Sequence, residues 1–312
     1  MKTFDIITLT VNPSLDKSTQ FTGLVAEQKI RCGTPRYDAG GGGINVSKAI
    51  SRLGGESLCV FTSGGSPGIK LEELVQQEGI VIQTIPTQNW TRENLVALDA
   101  VTNAQYRFCF PGATISEAEK ENVIRTLEEL KPKYLVASGS LNEGLSTDFY
   151  QHIADLAKAS GTKLIVDTSG EALQKVLEKG VYLVKPNIGE LAKLIGVERL
   201  ETNDVEAAAR KLIEKGSAKI VVVSLGAQGA VLVTATQTEF VAAPNVIKKS
   251  TVGAGDSMVG AMVWALSQNK NLKEVVQLGV ACGSAATMNE GTQLFKLEDA
   301  KRLFEGINGK LG

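Results

Sequence analysis

The segment Ser250-Thr251-Val252-Gly253-Ala254-Gly255-Asp256-Ser257 puts one carboxylate directly behind a Gly-Ala-Gly step, ahead of a helical pattern carrying Met258, Met262, Ala265 and Leu266. Gly253, Ala254 and Gly255 leave the amides of the first helical turn uncovered, so they can face a phosphoryl group as its charge develops. Asp256 then stands at the mouth of that anion site, where it could accept the proton of an attacking hydroxyl. Taken alone, an Asp in this setting is more often a first-turn carboxylate that serves the helix.

Three further segments could serve the same chemistry. Ala39-Gly40-Gly41-Gly42-Gly43-Ile44-Asn45-Val46 leads into a helix bearing Ile44, Ile50 and Leu53, and its glycines let backbone amides come close to a hydroxyl-rich or anionic ligand. Such a run also makes plain loops. Val184-Lys185-Pro186-Asn187-Ile188-Gly189-Glu190 closes a strand and opens a helix, which puts an ammonium, an amide and a carboxylate where ligands of open α/β sheets collect. Those groups suit nucleotide phosphates with Mg²⁺, a hard cation often held through water, and equally suit an ordinary helix start. Ser224-Leu225-Gly226-Ala227-Gln228-Gly229-Ala230 reads as strand, tight turn and strand, by itself only a hairpin. The sequence has no G-K-S or G-K-T and no G-x-G-x-x-G, which excludes a Walker phosphate loop and counts against a nicotinamide enzyme. Its single histidine, His152, lies beside a helical stripe of Phe149, Ile153 and Leu156 and reads as a surface residue. The cysteines at 32, 59, 109 and 282 are too scattered for a zinc or redox motif.

The elements that must hold these residues alternate between strand and helix. Ile6 to Val11, Leu58 to Thr62, Tyr134 to Ala137, Lys163 to Asp167, Tyr182 to Val184 and Ile220 to Ser224 are predicted strands, with amphipathic helices such as Glu117 to Leu130 and Val205 to Lys215 between them. Continuous runs like Ile220-Val221-Val222-Val223 suit strands covered on both faces, hence a mainly parallel sheet between helical layers. Residues from about 17 to 38 and from about 93 to 110 instead alternate polar and apolar, with a turn at Thr102-Asn103-Ala104. They are expected to form a small antiparallel sheet inserted in one α/β/α domain that spans 1–312. A thin sheet of this kind would leave Phe108 and Phe110 in water unless a second copy covers them, so a homodimer through the sheet is expected. Lys29 and Arg31 alternate on one of its segments and are expected to converge with Arg92 over a phosphate.

At 312 residues the chain can bury a large core. Lys plus Arg number 33 against 34 Asp plus Glu, a net charge of -1, so nucleic acid and anionic membranes are poor partners. Hydrophobic residues make up 43%, yet no apolar run nears the roughly 18 residues of a membrane span. Met1-Lys2-Thr3-Phe4-Asp5 does not open like a secretory signal, and the expected location is the cytoplasm.

Asn12-Pro13-Ser14-Leu15-Asp16, the Gly40 to Asn45 segment, Lys185-Pro186-Asn187 with Glu190, and Gly253-Ala254-Gly255-Asp256, in this order, resemble the ribokinase-like carbohydrate kinase family nearly end to end. Within it, Trp90-Thr91-Arg92, Gln105-Tyr106-Arg107-Phe108 and Asp167-Thr168-Ser169-Gly170-Glu171-Ala172-Leu173 are similar to the minor bacterial 6-phosphofructokinase branch. The resemblance implies a three-layer fold with a β-sheet lid, and phosphoryl transfer from ATP to the 1-hydroxyl of fructose 6-phosphate. It implies Asp256 as base and Gly253, Ala254 and Gly255 as anion hole. Lys185, Asn187 and Glu190 would serve ATP phosphates and Mg²⁺, with Ser224, Gly226 and Gly229 in the nucleotide loop and Val280 and Ser284 near the adenine. The sugar would meet Asp16, Gly41, Gly42 and Asn45, and its phosphate Lys29, Arg31, Arg92 and Ser140. A potassium-like monovalent cation would sit near Ser250, Val252, Ala286, Asn289 and Gly291. Tagatose 6-phosphate or fructose 1-phosphate is the rival acceptor, and a sugar-phosphate sensor without turnover is the rival class. The chain departs from the pattern at Asn142-Glu143, where the family commonly has a proline pair, which would loosen that loop and bring a carboxylate near Ser140. It departs again at Gln293, where the branch has arginine beside the cation site.

Overall fold

The computed structural model describes residues 3–290 and 293–309. In chain order the strands are β1 (Ile6–Thr10), β2 (Ser14–Phe21), β3 (Arg36–Gly40), β4 (Leu58–Ser63), β5 (Val81–Pro86), β6 (Arg92–Asp99), β7 (Gln105–Phe108), β8 (Tyr134–Ser138), β9 (Lys163–Asp167), β10 (Val181–Val184), β11 (Ala218–Ser224), β12 (Ala230–Val233) and β13 (Thr238–Val241). The helices are α1 (Gly42–Arg52), α2 (Gly65–Gln77), α3 (Glu117–Leu130), α4 (Phe149–Ser160), α5 (Gly170–Lys179), α6 (Ile188–Leu194), α7 (Val205–Glu214), α8 (Ala254–Ser267), α9 (Leu272–Thr287) and α10 (Leu297–Ile307). None of them, among the described residues, is long and apolar enough to cross a membrane.

Nine strands form the main sheet in the order β13-β12-β11-β10-β9-β8-β1-β4-β5. Every neighbouring pair is parallel except β11–β12 and β12–β13, which close one edge antiparallel. Its strands are apolar on both faces because both are covered. Ile7, Leu9, Val221 and Val223 pack with α3, α4, α5, α6 and α7, while Ile6, Ile220 and Val222 pack with α1, α8 and α9. The chain winds from β1 outward through β4 to β5 and later resumes at β8 on the other side of β1. That reversal leaves a crevice beyond the carboxyl ends of β1 and β8, the place where open α/β sheets take ligands.

The lid is a four-stranded sheet in the order β3-β2-β6-β7. Its outer pairs are antiparallel, as expected, but the central β2–β6 pair is parallel, which makes the sheet mixed rather than antiparallel. A hairpin turn fixes an antiparallel partner locally; β2 and β6 come from separate segments, and nothing in either one specifies their relative direction. The expected strand across 17–38 also breaks in the middle. Residues 22–35 are irregular, so Lys29 and Arg31 lie exposed on a long connection instead of alternating along a strand. The turn at Asn103 is as expected, with this residue in the left-handed region at φ 56.

Candidate active site

Gly253 caps α8 with a φ of 74, a conformation open to glycine and strained for other residues, and this bend aims the free amides of the helix outward. The helix is apolar on every side and sits between α1 and α9. Asp256 is the acidic residue of its first turn. Its Oδ2 accepts a hydrogen bond from Asn45 Nδ2 at 2.8 Å, across two helices brought close where Gly260 lies over Val46 and Ala49. Asn45 hangs from α1 three residues after Gly42, and Gly41, the α1 cap, takes a φ of 134. Asn45 Oδ1 is buried and finds no donor among the described residues.

Lys185 leaves β10 with only 8% of its surface exposed, and its Nζ pairs with Asp167 Oδ1 at 3.2 Å. Burial works to strip the Lys185 ammonium of its proton, but attraction and hydrogen bonding to Asp167, helped by Asp256 and Glu190, more than offset it and raise its pKa. The same ammonium lies against Gly255, where a Cβ would stand 3.4 Å from Nζ, so the charge backs the anion hole. Asp167 is a functional residue that its sequence position did not reveal. It ends β9, and only the parallel pairing of β9 with β10 brings it to Lys185.

Burial, and then the charge of Asp167, push the Asp256 carboxyl up to about 6, while Asn45 and Lys185 hold it down. A base must be ionised to accept a proton. Turnover is therefore expected to fall about tenfold per pH unit below about 6 and to level off above it. Asp167→Asn removes a like charge and should move this acid limb to lower pH. A pH–rate profile of the two proteins checks both, and an unmoved limb would show that Asp256 is not the titrating group.

Ser224, Gly226, Gly229, Val280 and Ser284 line one cleft of about 400 Å³ that reaches Gly255, so the structure gathers the residues expected for the nucleotide. Asn187 and Glu190 stand beside Lys185 at the start of α6. They are also a capping box, in which Asn187 Oδ1 accepts from Glu190 N at 2.9 Å and Glu190 Oε2 accepts from Asn187 N at 2.8 Å. One Glu190 oxygen remains for a water-bound cation. The described residues contain no group of three acidic, histidine or cysteine ligands, so Mg²⁺ would fit here only on water, phosphate and this carboxylate.

On the sugar side, Asp16 Oδ1 accepts from Ser14 Oγ at 2.7 Å and from Asn94 Nδ2 at 2.8 Å. The register pairs Asp16 with Asn94 and Ser14 with Arg92, so all four share one lid face. Arg92 reaches the carboxyl end of β1, donating to Asn12 O at 3.2 Å and to Pro13 O at 3.4 Å. Asn12 Nδ2 in turn donates to Ser140 Oγ at 3.1 Å, which joins the Arg92 and Ser140 sides of the crevice. Gly42 packs on Ser138 and Gly139 at the same point. Lys29 and Arg31 are both exposed on the 22–35 connection, and among the described residues neither makes a hydrogen bond or ion pair. Arg107 was not singled out for the site. It pairs with Val96, which places it on the Arg92 face, and the alternation of β7 alone could have shown it.

The loop at Asn142-Glu143 is not loosened. Asn142 is buried and donates from Nδ2 to Ala113 O at 2.9 Å, and Glu143 O accepts from Ile115 N at 2.9 Å while its carboxylate points to solvent. A side-chain amide here replaces the stiffness that prolines would supply. In the expected cation region, the amides of Lys249 and Ser250 both donate to Thr287 O, which brings Ser250 and Val252 beside Ala286 and Asn289. The Asn289 amide is spent on Ala285 O and Leu294 O, leaving carbonyl oxygens as the donor set that suits a monovalent cation. Gln293 is exposed, and Gly291 lies outside the described residues.

The sequence profile of the pfkB family carbohydrate kinases matches residues 9–300. The chain belongs to this family. The ATP-dependent 6-phosphofructokinase isozyme 2 of Escherichia coli (strain K12) is 42% identical to it over 301 residues, 96% of this chain and 97% of that protein. The crystal structure of Phosphofructokinase-2 from Escherichia coli in complex with potassium matches this pfkB kinase with a TM-score of 0.94 at 42% identity, covering 98% and 99% of the two chains. The tetrameric inhibited form of Phosphofructokinase-2 from Escherichia coli matches with a TM-score of 0.91 at 40% identity over the same shares. The large sheet, the lid and the helices on both faces are thus the ribokinase-like fold that the motifs implied.

Proposed function

We propose that this pfkB kinase transfers the γ-phosphoryl group of ATP to the 1-hydroxyl of fructose 6-phosphate, giving fructose 1,6-bisphosphate and ADP. The reading is carried by Asp256, held by Asn45 at 2.8 Å between the sugar crevice and the glycine-stripped start of α8. In the reaction the sugar O1 forms a bond to the γ-phosphorus, the bond from that phosphorus to the β,γ-bridging oxygen breaks, and the O1 proton passes to Asp256. The amides of Gly253, Ala254 and Gly255 and the Lys185 ammonium receive the charge on the phosphoryl oxygens. Mg²⁺, held on the nucleotide near Glu190, would neutralise charge on the leaving ADP. The oxygens around Ser250, Val252 and Ala286 are the proposed seat of potassium. A cytoplasmic place in glycolysis belongs to this reading, since ATP and hexose phosphates share that compartment.

A coupled assay of ADP release tests the acceptor against a panel of fructose 6-phosphate, tagatose 6-phosphate, fructose 1-phosphate and unphosphorylated fructose. The highest kcat/KM is expected for fructose 6-phosphate. Binding without ADP release on any of them would favour a sensor.

The outer face of the lid is the proposed contact between copies. Phe108 is 48% and Phe110 54% exposed, an apolar area that a two-fold contact would bury. Light scattering at micromolar concentration is expected to give a dimer, or a tetramer built from such dimers. A monomer would leave the face unexplained.

A further inference from the structure

The lid returns to the core through residues 110–116, and hydrogen bonds grip this return from both sides. On the lid side, Phe110 N donates to Asn94 Oδ1 at 3.3 Å and Arg92 Nη1 donates to Phe110 O at 3.4 Å. On the core side, Asn142 Nδ2 donates to Ala113 O at 2.9 Å and Ile115 N donates to Glu143 O at 2.9 Å. Asn142 is only 6% exposed, so the donation takes place out of competition with water. The turn that carries it is closed by Leu145 N on Asn142 O at 3.3 Å. Just before it, Ser140 Oγ and Leu141 O both accept from Asn12 Nδ2, at 3.1 and 3.2 Å. Asn12 O is in turn a rest for Arg92 Nη2. One short stretch, 140–143, therefore holds the lid return with one end and the Asn12–Arg92 pair with the other.

We propose that Asn142 is a positioning residue for the sugar phosphate: its amide latches the lid return to the loop bearing Ser140 and so fixes the spacing between Ser140 and Arg92. This rests on the acceptor reading given above. Two groups that must grip one phosphate lose affinity when their spacing is free to drift, because the order must then be restored on binding. The ATP half of the site and Asp256 lie on other elements and should not feel the loss.

The test compares the parent with Asn142→Ala and with Asn142→Asp, which keeps the shape but replaces the donor by an acceptor that cannot bond Ala113 O. Both are expected to raise KM for fructose 6-phosphate about five- to tenfold, with KM for ATP and kcat at saturation changed less than twofold. A merely structural role would move both KM values together or lower kcat, and either result, or an unchanged KM for the sugar, would overturn the proposal. Hydrogen exchange on the parent gives a second reading that needs no variant. Fructose 6-phosphate alone should slow exchange at 112–116, ATP alone should not, and equal or absent protection would also overturn it. If the parent prefers another sugar phosphate, the acceptor reading fails while the same KM split, measured with that sugar, still decides the latch.

Discussion

Asp256→Asn is expected to lower turnover by about two to four orders of magnitude while leaving the fold and nucleotide binding intact, the usual worth of a positioned general base. The substitution keeps the size of the side chain and its place in the first turn of α8. Asn45 can still meet the new amide oxygen. What disappears is the basic carboxylate that takes the hydroxyl proton, an amide oxygen being too weak a base to hold it, so the loss should fall on kcat and hardly on KM for ATP. The acid limb near pH 6 should vanish from the variant's profile, since the group that titrates there at about 6 is gone. Turnover near the parent rate would make Asp256 a helix carboxylate with no part in the chemistry.

Arg92→Ala is expected to raise KM for fructose 6-phosphate at least tenfold, about 1.4 kcal/mol of binding, with KM for ATP nearly unchanged. The guanidinium rests on three backbone carbonyls, those of Asn12, Pro13 and Phe110, at 3.2 to 3.4 Å. No carboxylate forms an ion pair with it among the described residues, so its charge is left for a ligand. Burial depresses its pKa, with Asp16 and Cys109 acting the other way, which fits a cation held in a partly dry crevice until an anion arrives. Its planar fork suits two phosphate oxygens, and Arg92→Lys should recover only part of the loss. Equal loss for both substrates, or efficient phosphorylation of unphosphorylated fructose by the parent, would show that Arg92 reads something else.

The core strands were legible because their burial is continuous. Tyr134 to Ala137 and Leu164 to Val166 lie under helices on both faces and show unbroken apolar runs. Glu117 to Leu130 carried its own start, the Ser116–Glu119 capping box. Strand β5 was not legible: it is an edge strand whose side chains are mostly part-exposed, so its pattern carries little apolar signal. In the site, the glycine-stripped helix start with Asp256 in its first turn was visible as a local feature, and its role was given by the family resemblance. Asp167, Asn94 and Asn142 were not visible in this way. Each acts through a partner distant in sequence, Lys185, Asp16 or Ala113, and only strand register or loop packing makes them neighbours.

Strand β2 meets β6 across a long stretch of chain: the Asp16–Asn94 bond spans 78 residues and the intervening segment holds β3, α1, β4, α2 and β5. Long-range parallel pairing is slow for this reason: the entropy of closing so large a loop is lost before the pairing repays it. Both halves of the site wait on contacts distant in sequence: α8 meets α1 through Asp256 and Asn45, 211 residues apart, and β2 meets β6 through Asp16 and Asn94, 78 residues apart. They should nonetheless open separately in the native state, the thin and partly exposed lid first and the buried α8 last. A molecule with its lid open would keep the start of α8 in place while losing the Asp16–Asn94 face.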